Sequence, residues 1–195
     1  MTILNIQFDD IHFLNDIKFG SVNFYPLKFL FKNKPTNLKS IDELFKNNLV
    51  SLEEIDENGQ IEEILVNNLS KDFLFITDGD ALVGAKQNRI SERSVVIGPY
   101  FSQKIPVNCV EQYRWGYKHT KIFEKSDFVL HPKAREEKAE LLKKGNNSKI
   151  QNAVWDNISN LSAKHEVNSI SMDLGDIIHN SKKYYDFDYF DRVKN

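Results

Sequence analysis

The stretch from Asp78 to Trp115 carries a dense set of polar and ionisable side chains between short apolar runs. Loops set between strands are where chemistry usually sits, because a rigid sheet holds polar groups in fixed positions. We therefore expect the functional site in this stretch. Its candidate catalytic residues are Asp80, Cys109 and Glu111, and its candidate ligand-binding residues are Lys86, Gln87, Asn88, Arg89, Arg114 and Trp115.

The tetrapeptide Lys86–Arg89 (KQNR) follows an apolar segment whose folding does not require it. Glutamine and asparagine each offer a donor and an acceptor, and arginine can hold a carboxylate or phosphate with two parallel bonds. The tetrapeptide therefore predicts a small anionic ligand such as a nucleotide or a sugar phosphate. A hydrogen-bonded loop scaffold explains the same side chains equally well, and the sequence leaves both interpretations open.

The segment GDALVGAK is similar in outline to a phosphate-binding loop, which also follows a strand. Its lysine is displaced by one residue, however, and Gln87 replaces the hydroxyl residue that binds magnesium. We therefore expect Gly79 and Gly84 to serve a turn and a close backbone approach or bulge instead.

Asp78 and Asp80 lie two residues apart, so in an extended segment both would point the same way. They could then act as an acid and base pair or share a divalent cation. We favour the structural alternative, in which Asp78 caps a turn and Asp80 pairs with Arg89 or Arg114.

Cys109 stands in the segment IPVNCVEQYRW. As a nucleophile it would need its thiolate stabilised by Arg114 or His119, with Glu111 as the orienting acid or base. A lone cysteine between valines is more often a buried small apolar residue, which is the interpretation we favour. Trp115 could stack on a base or a sugar, but core packing is the better expectation.

Composition limits the classes of protein that fit. The chain has 195 residues, of which 41% are hydrophobic and 28% charged, which is typical of one globular domain. Its single cysteine cannot form an internal disulfide, and no ligand spacing predicts a structural zinc site or another metal. The first residues lack the pattern of a signal peptide and no apolar run is long enough to cross a membrane, so we expect a cytoplasmic protein.

Charge is distributed unevenly along the chain, although the net charge is only −2. Residues 86–121 hold seven basic and two acidic residues, whereas residues 41–66 hold eight acids and one lysine. This pattern favours a small anionic ligand over a long nucleic acid. Alternatively, the two segments pair as neighbouring solvated faces.

Hydrophobic periodicity predicts an α+β protein, with a mainly antiparallel β-sandwich or barrel-like core followed by C-terminal helices. We expect one domain over residues 1–195, with a β-rich core over about 1–125, a helical part over about 131–180 and an aromatic, acidic tail over 181–195. Three β-structures are predicted: a strand over Ser21–Lys32 that is interrupted by a bulge at Pro26 or confined to an edge, a hairpin turning at Asn58-Gly59, and a strand at Phe73–Thr77 that is buried on both faces if it is central. The predicted helices are Asn37–Leu49 capped by Ser40, one from Pro132 to Gly145, one from Ile150 and one from Ser171 to His179.

The segments DGDALVGAKQNRI, IPVNCVEQYRW and QNAVW together resemble a bacterial family, the ADP-ribosylglycohydrolase and rhodanese-phosphatase-associated protein domain. The resemblance runs from about Ser21 to Trp155, and it implies a role near nucleotide or ADP-ribose metabolism without an established reaction. Where such a protein is expected to have Asp-Gly-Glu this chain has Asp-Gly-Asp, which shortens the reach of the carboxylate. The matched motif positions are Asp78, Gly79, Asp80, Gly84, Lys86, Gln87, Asn88, Arg89, Cys109, Glu111, Arg114 and Trp115.

Two functions fit these observations. In the first, the domain binds, and in one version processes, a small anionic nucleotide-like ligand such as an ADP-ribose derivative: Lys86 and Arg89 hold phosphate, and Asp80 or Glu111 is the acid or base. In the second, it is a non-enzymatic module that docks a protein partner, and the polar motif is a structural salt-bridge network. The sequence does not decide whether the chain is an enzyme, and it leaves the cofactor and the oligomeric state unknown.

Overall fold

The computed structural model describes residues 11–19, 22–25, 27–29, 37–55, 62–116 and 122–181. The chain divides into two compact units, residues 1–37 and 38–195. The expectation of a single domain stays a prediction.

The first unit contains two antiparallel strand pairs. Their four strands are β1 (Ile11–Phe13), β2 (Ile17–Phe19), β3 (Val22–Phe24) and β4 (Leu27–Phe29), with β1 paired to β4 and β2 paired to β3. In place of the single strand predicted over Ser21–Lys32, two strands, β3 and β4, lie on either side of Pro26 and pair with different strands. Pro26 itself is outside the described residues.

The second unit holds two sheets and the helices. Its strands are β5 (Leu38–Ser40), β6 (Val50–Glu53), β7 (Glu63–Asn68), β8 (Phe73–Ile76), β9 (Asp80–Gly84), β10 (Arg89–Ser91), β11 (Val95–Ile97), β12 (Ser102–Cys109) and β13 (Phe123–Val129), and its helices are α1 (Ile41–Lys46), α2 (Pro132–Lys143), α3 (Ile150–His165) and α4 (Leu174–Ser181), with a 3-10 turn at Asn147–Lys149. The α+β class predicted from the sequence is therefore confirmed.

The larger sheet has the strand order β13-β9-β10-β12-β7-β6, and all its pairings are antiparallel. A bridge between Glu53 and Ile122 brings its two ends together, so the sheet curls into an antiparallel half-barrel. The barrel-like alternative thus describes it better than a sandwich, which is not confirmed. The predicted pairing of β6 with β7 is present, but the turn at Asn58-Gly59 lies outside the described residues.

The smaller sheet has the order β11-β8-β5, and β5 pairs with β8 in parallel. Strand β8 lies at its centre, as expected from its apolar sequence. The prediction that both its faces are buried is wrong, since Leu74 and Ile76 are buried whereas Phe73 is exposed. The next element, α1, has the predicted cap, since the Ser40 side chain accepts a hydrogen bond from the Glu43 amide. The predicted bounds of Asn37–Leu49 are wrong: Leu38–Ser40 is extended because it pairs with β8, and the helix covers only Ile41–Lys46.

The predicted helices are present, and their ends follow from the sequence. Pro132 lies at the start of α2, and Gly145 follows its end with φ of +71°. The predicted cap of α4 is wrong: Asp173, not Ser171, accepts from an amide of its first turn, that of Gly175. The Ser171 hydroxyl donates instead to Glu111.

Two clusters of buried side chains form the core. The first fills the half-barrel and extends to α1, with residues such as Leu52, Ile64 and Ile105. The second joins the outer face of β9 and β10 to the helices, where Ala81 and Ile90 pack with side chains of α2, α3 and α4. The helical part is therefore held against the two strands that flank the predicted site.

Candidate functional site

Three segments meet beside the second core cluster. They are the loop 85–88 between β9 and β10, the segment 110–116 that follows β12, and residues 171–173 before α4. Arg89 pairs with Cys109 across the sheet, and Glu111 forms a bridge with Asp173. The sequence-predicted motifs thus come together, and α4 joins them.

Gly84 ends β9 where the backbone of the neighbouring strand comes closest. Its φ is +122°, and an added Cβ would lie 2.7 Å from the carbonyl oxygen of Ile122. The close approach expected here is confirmed, as is the turn at Gly79, where φ is +81°.

Arg114 joins two of these segments, the loop 85–88 and the segment 110–116. Its Nε lies 2.7 Å from Oε1 of Glu111 and its Nη2 lies 2.6 Å from Oε2, which makes a two-pronged ion pair. Its other contacts are with oxygens of the two loops, namely Ala85 O, Gly116 O, Gly84 O and Asn88 Oδ1.

Glu111 is only 1% exposed, but its carboxylate is well satisfied. Besides Arg114, it accepts from the Asn88 amide at 3.2 Å and from the Ser171 hydroxyl at 3.0 Å. Burial opposes its ionisation, but the hydrogen bond and charge of Arg114, together with the hydrogen bonds from Asn88 and Ser171, outweigh burial and lower its pKa. Glu111 is therefore a stable carboxylate that anchors the loop rather than a group poised to exchange a proton.

The two amide side chains of the tetrapeptide are also engaged. Asn88 accepts from the Gly84 amide at 2.9 Å and donates to Oδ2 of Asp173 at 2.9 Å. Gln87 donates to the carbonyl of Glu111 at 2.9 Å. Both side chains are buried, so they fix the loop in one conformation.

Arg89 and Lys86 lie next to Trp115. Arg89 is fully buried, donates to Oε1 of Gln87 at 3.1 Å, and its Cζ lies 5.7 Å from the centre of the indole ring. Burial lowers the pKa of Arg89. Lys86 places its Nζ 5.3 Å from the same ring, and Trp115 is 50% exposed, so the expectation that it packs in the core holds only in part.

Cys109 lies against the backbone of Glu111. Its Sγ contacts the Glu111 carbonyl oxygen at 3.2 Å, and both backbone groups of Cys109 bond to the side-chain amide of Gln151. The residue is fully buried, and burial raises the pKa of its thiol. A neutral, covered thiol is a poor nucleophile, in agreement with the structural interpretation.

Asp80 lies at the other end of β9 from the loop. The expected pairing with Arg89 or Arg114 is wrong: Oδ2 accepts from the Thr77 amide at 2.7 Å, and Nζ of Lys125 lies 3.7 Å from Oδ1. Burial raises the pKa of Asp80, and the Thr77 and Lys125 contacts offset this only in part.

Asp78 pairs with helix α2. Its carboxylate contacts Nζ of Lys138, and Nε of Arg135 lies 3.6 Å away. The Asp78 side chain was expected to cap a turn. It instead forms an ion pair that connects the turn to helix α2.

A cleft of about 430 Å³ borders the network on the side of β13 and α4. Asn88 is the only one of the nine predicted site residues that lines it. Apolar Val83, Ile122 and Phe128 form part of its wall. Its ionisable lining residues are Glu124, Asp127, Asp173, Asp176 and His179.

Asp173 is the buried carboxyl group of this cleft, at 4% exposure. Burial raises its pKa, and hydrogen bonds from Asn88 and the Gly175 amide oppose that rise. The sequence prediction missed Asp173, Asp176 and His179, although their spacing of three residues indicates one face of a helix. The contact of Asp173 with Asn88 spans 85 positions of the chain, which no local pattern reveals.

Within the described residues, no group of three histidine, cysteine, aspartate or glutamate side chains is placed to hold a metal ion. No helix in that part of the chain is long and apolar enough to span a membrane.

Comparison with known families identifies one match. The profile of the ARG and Rhodanese-Phosphatase-superfamily-associated Protein domain (ARPP-1) covers residues 10–194. The chain belongs to this family. The resemblance seen in the sequence motifs is thus confirmed at the level of the domain, and it extends well beyond the Ser21–Trp155 range inferred from them. No curated protein and no solved structure matches the chain.

Proposed function

We propose that this ARPP-1 domain binds a small organic molecule in the cleft beside β13 and α4, and that the ligand carries positive charge or several hydrogen-bond donors. The observation that supports this most directly is the lining: four carboxyl groups border the cleft, and no lysine or arginine lines it in the described part of the chain. Ionised carboxylates only accept hydrogen bonds, so the ligand has to supply the donors.

The size and the walls of the cleft suit such a ligand. Its volume of about 430 Å³ lies within the usual range for small-molecule sites. Val83, Ile122 and Phe128 would cover an apolar or aromatic part, and the ring of Phe128 can attract a cation.

The polar motif acts here by positioning. Glu111 and Arg114 hold the loop that presents Asn88, and Asn88 in turn holds Asp173. A wall fixed in this way before binding loses little conformational entropy when the ligand arrives. Of the residues proposed from the sequence, only Asn88 would touch the ligand, whereas Asp80 and Cys109 would have no part in binding.

The predicted nucleotide-like anion remains a second candidate, favoured by the arrangement around Trp115. The exposed indole ring of Trp115 could stack on a base, and the buried cations Lys86 and Arg89 next to it would attract a negatively charged group. The interaction-module alternative stays a prediction as well. It expects the polar motif to be a structural salt-bridge network, as the Glu111–Arg114 ion pair is, and it adds a protein partner that nothing in the described residues identifies.

One thermal-shift and calorimetry screen distinguishes the two ligand classes. The cation panel is benzylamine, agmatine and spermidine, with benzyl alcohol as the neutral control, and the anion panel is ADP-ribose and NAD. A ligand present at 100 times its dissociation constant stabilises the fold by about 2.7 kcal/mol.

We expect the ligands of the cation panel to raise the melting temperature. The double variant Asp176→Asn, Glu124→Gln should bind them about tenfold more weakly, a loss of about 1.4 kcal/mol in binding free energy. The matched control is Asp156→Asn with Glu136→Gln, which removes the same two charges from exposed positions outside the cleft and should have no effect. Equal shifts with benzyl alcohol and benzylamine, or no shift with any cation, contradict the proposal. Binding of ADP-ribose that is lost in Trp115→Leu supports the second candidate instead.

A further inference from the structure

A second cavity, of about 230 Å³, lies between α2 and α3 and reaches the start of α4. Its floor is apolar: Leu130, Ala134, Ile158 and Leu174 line it, and each is at most 3% exposed. Its rim is polar, and the rim residues are His131, Lys133, Asn157, Asn160 and Lys164. No acidic side chain lines this cavity within the described residues, which distinguishes it from the acidic cleft.

The antiparallel packing of α2 and α3 explains why two lysines meet here. Lys133 lies in the first turn of α2 and Lys164 in the last turn of α3, and the short 3-10 turn between the helices brings these distant ends together. Neither lysine forms an ion pair among the salt bridges of the described residues. Both therefore offer positive charge at the mouth of one apolar cavity.

The rim amides add fixed polarity. Asn157 donates to the Ala153 carbonyl and to the Glu137 carboxylate, each at 2.8 Å. Glu137 is thereby tied to the helix surface and is not among the lining residues. Asn160, one helical turn further along α3, is exposed at the rim.

We propose that this cavity binds a small organic anion, with a carboxylate at the lysine rim and an apolar body over the buried floor. Exposed lysines alone attract an anion only weakly in water, and an apolar floor alone does not select for charge. Both halves of the ligand are therefore required. This inference does not rest on the proposed function, because the two sites select ligands of opposite charge.

Calorimetric titration of the full chain with three matched probes tests it: phenylacetate, phenylacetamide and acetate. We expect phenylacetate to bind at least tenfold more tightly than either of the others. Lys133→Gln with Lys164→Gln should weaken phenylacetate binding at least tenfold. Lys143→Gln with Lys149→Gln, which removes the same charge from exposed positions elsewhere, should not.

Asn160→Asp provides a second variant at an exposed position, and its new carboxylate should also weaken phenylacetate binding. Equal affinity for phenylacetate and phenylacetamide would overturn the proposal, as would an equal loss in the two double-lysine variants. These results are independent of benzylamine binding in the acidic cleft, so failure of one proposal is distinguishable from failure of the other.

Discussion

At the scale of single residues, Arg114 is the side chain that compensates the buried charge of Glu111. We expect Arg114→Met to lower the free energy of unfolding by about 3–5 kcal/mol, because it leaves the Glu111 carboxylate buried without its cation. Arg114→Lys should cost less, since lysine keeps the charge but has three donors in place of the planar fork of arginine. Urea denaturation followed by circular dichroism measures both.

The pair itself is isolated by a double-mutant cycle. Glu111→Gln combined with Arg114→Met should cost less than the sum of the two single changes, with a coupling of about 1–3 kcal/mol. If the losses of unfolding free energy in the two single variants simply add, the Glu111–Arg114 ion pair contributes no coupling energy to the stability of the fold.

At the scale of elements, helix α2 is fixed to the Asp78 turn by a buried lysine. Lys138 is 1% exposed, and its ammonium contacts the Asp78 carboxylate and the Glu92 carbonyl. Lys138→Met should lower the free energy of unfolding by about 3 kcal/mol, near the low end for a broken buried pair, because Asp78 keeps Arg135 nearby. Chemical denaturation measures this loss.

The matched control for that change is Lys143→Met, on the same helix but exposed. Its free energy of unfolding should stay within about 0.5 kcal/mol of that of the unaltered chain. A similar loss in both variants would mean that helix composition, and not the buried ion pair, sets the stability.

The sequence predicts the ends of α2 well but not where the helix packs. Pro132 and Gly145 act locally, through a fixed φ angle and a left-handed conformation, so their effect is visible in the sequence. Lys138 looks like any other charge of a polar helix. Its burial depends on Asp78, 60 positions away, and a local pattern carries no information about such a partner.

At the scale of the whole molecule, the contrast between local sequence patterns and long-range packing also explains which features of the site were predicted. The linked motifs lie together in the structure, where Gln87, Asn88, Glu111 and Arg114 form one network. The side on which a cavity opens depends on how β13 and α4 pack against that network. Long-range packing therefore determines which side chains line the cleft, and the local charge of the segment 86–121 does not reveal them.

Acid should act in opposite directions on buried carboxyl groups of this molecule, and Glu111 and Asp80 are one example of each direction. The pKa of Glu111 is lowered in the fold, so the stability it contributes is present above the ordinary glutamate pKa of about 4.3 and is lost as pH falls through the folded value. The pKa of Asp80 is raised, so its contribution is present below the ordinary aspartate pKa of about 3.9 and is lost as pH rises through the folded value.

Unfolding free energies of the unaltered chain, Glu111→Gln and Asp80→Asn, measured by urea denaturation between about pH 3 and 7, separate the two effects. On acidification, the advantage of the unaltered chain over Glu111→Gln should shrink, and its stability relative to Asp80→Asn should rise. Each difference can change by at most about 1.4 kcal/mol per pH unit, the limit for one proton. If the stability difference from the unaltered chain changes with pH in the same direction for both variants, the assignment is contradicted. Folding lowers the pKa of Glu111 and raises that of Asp80, so the two differences must change in opposite directions.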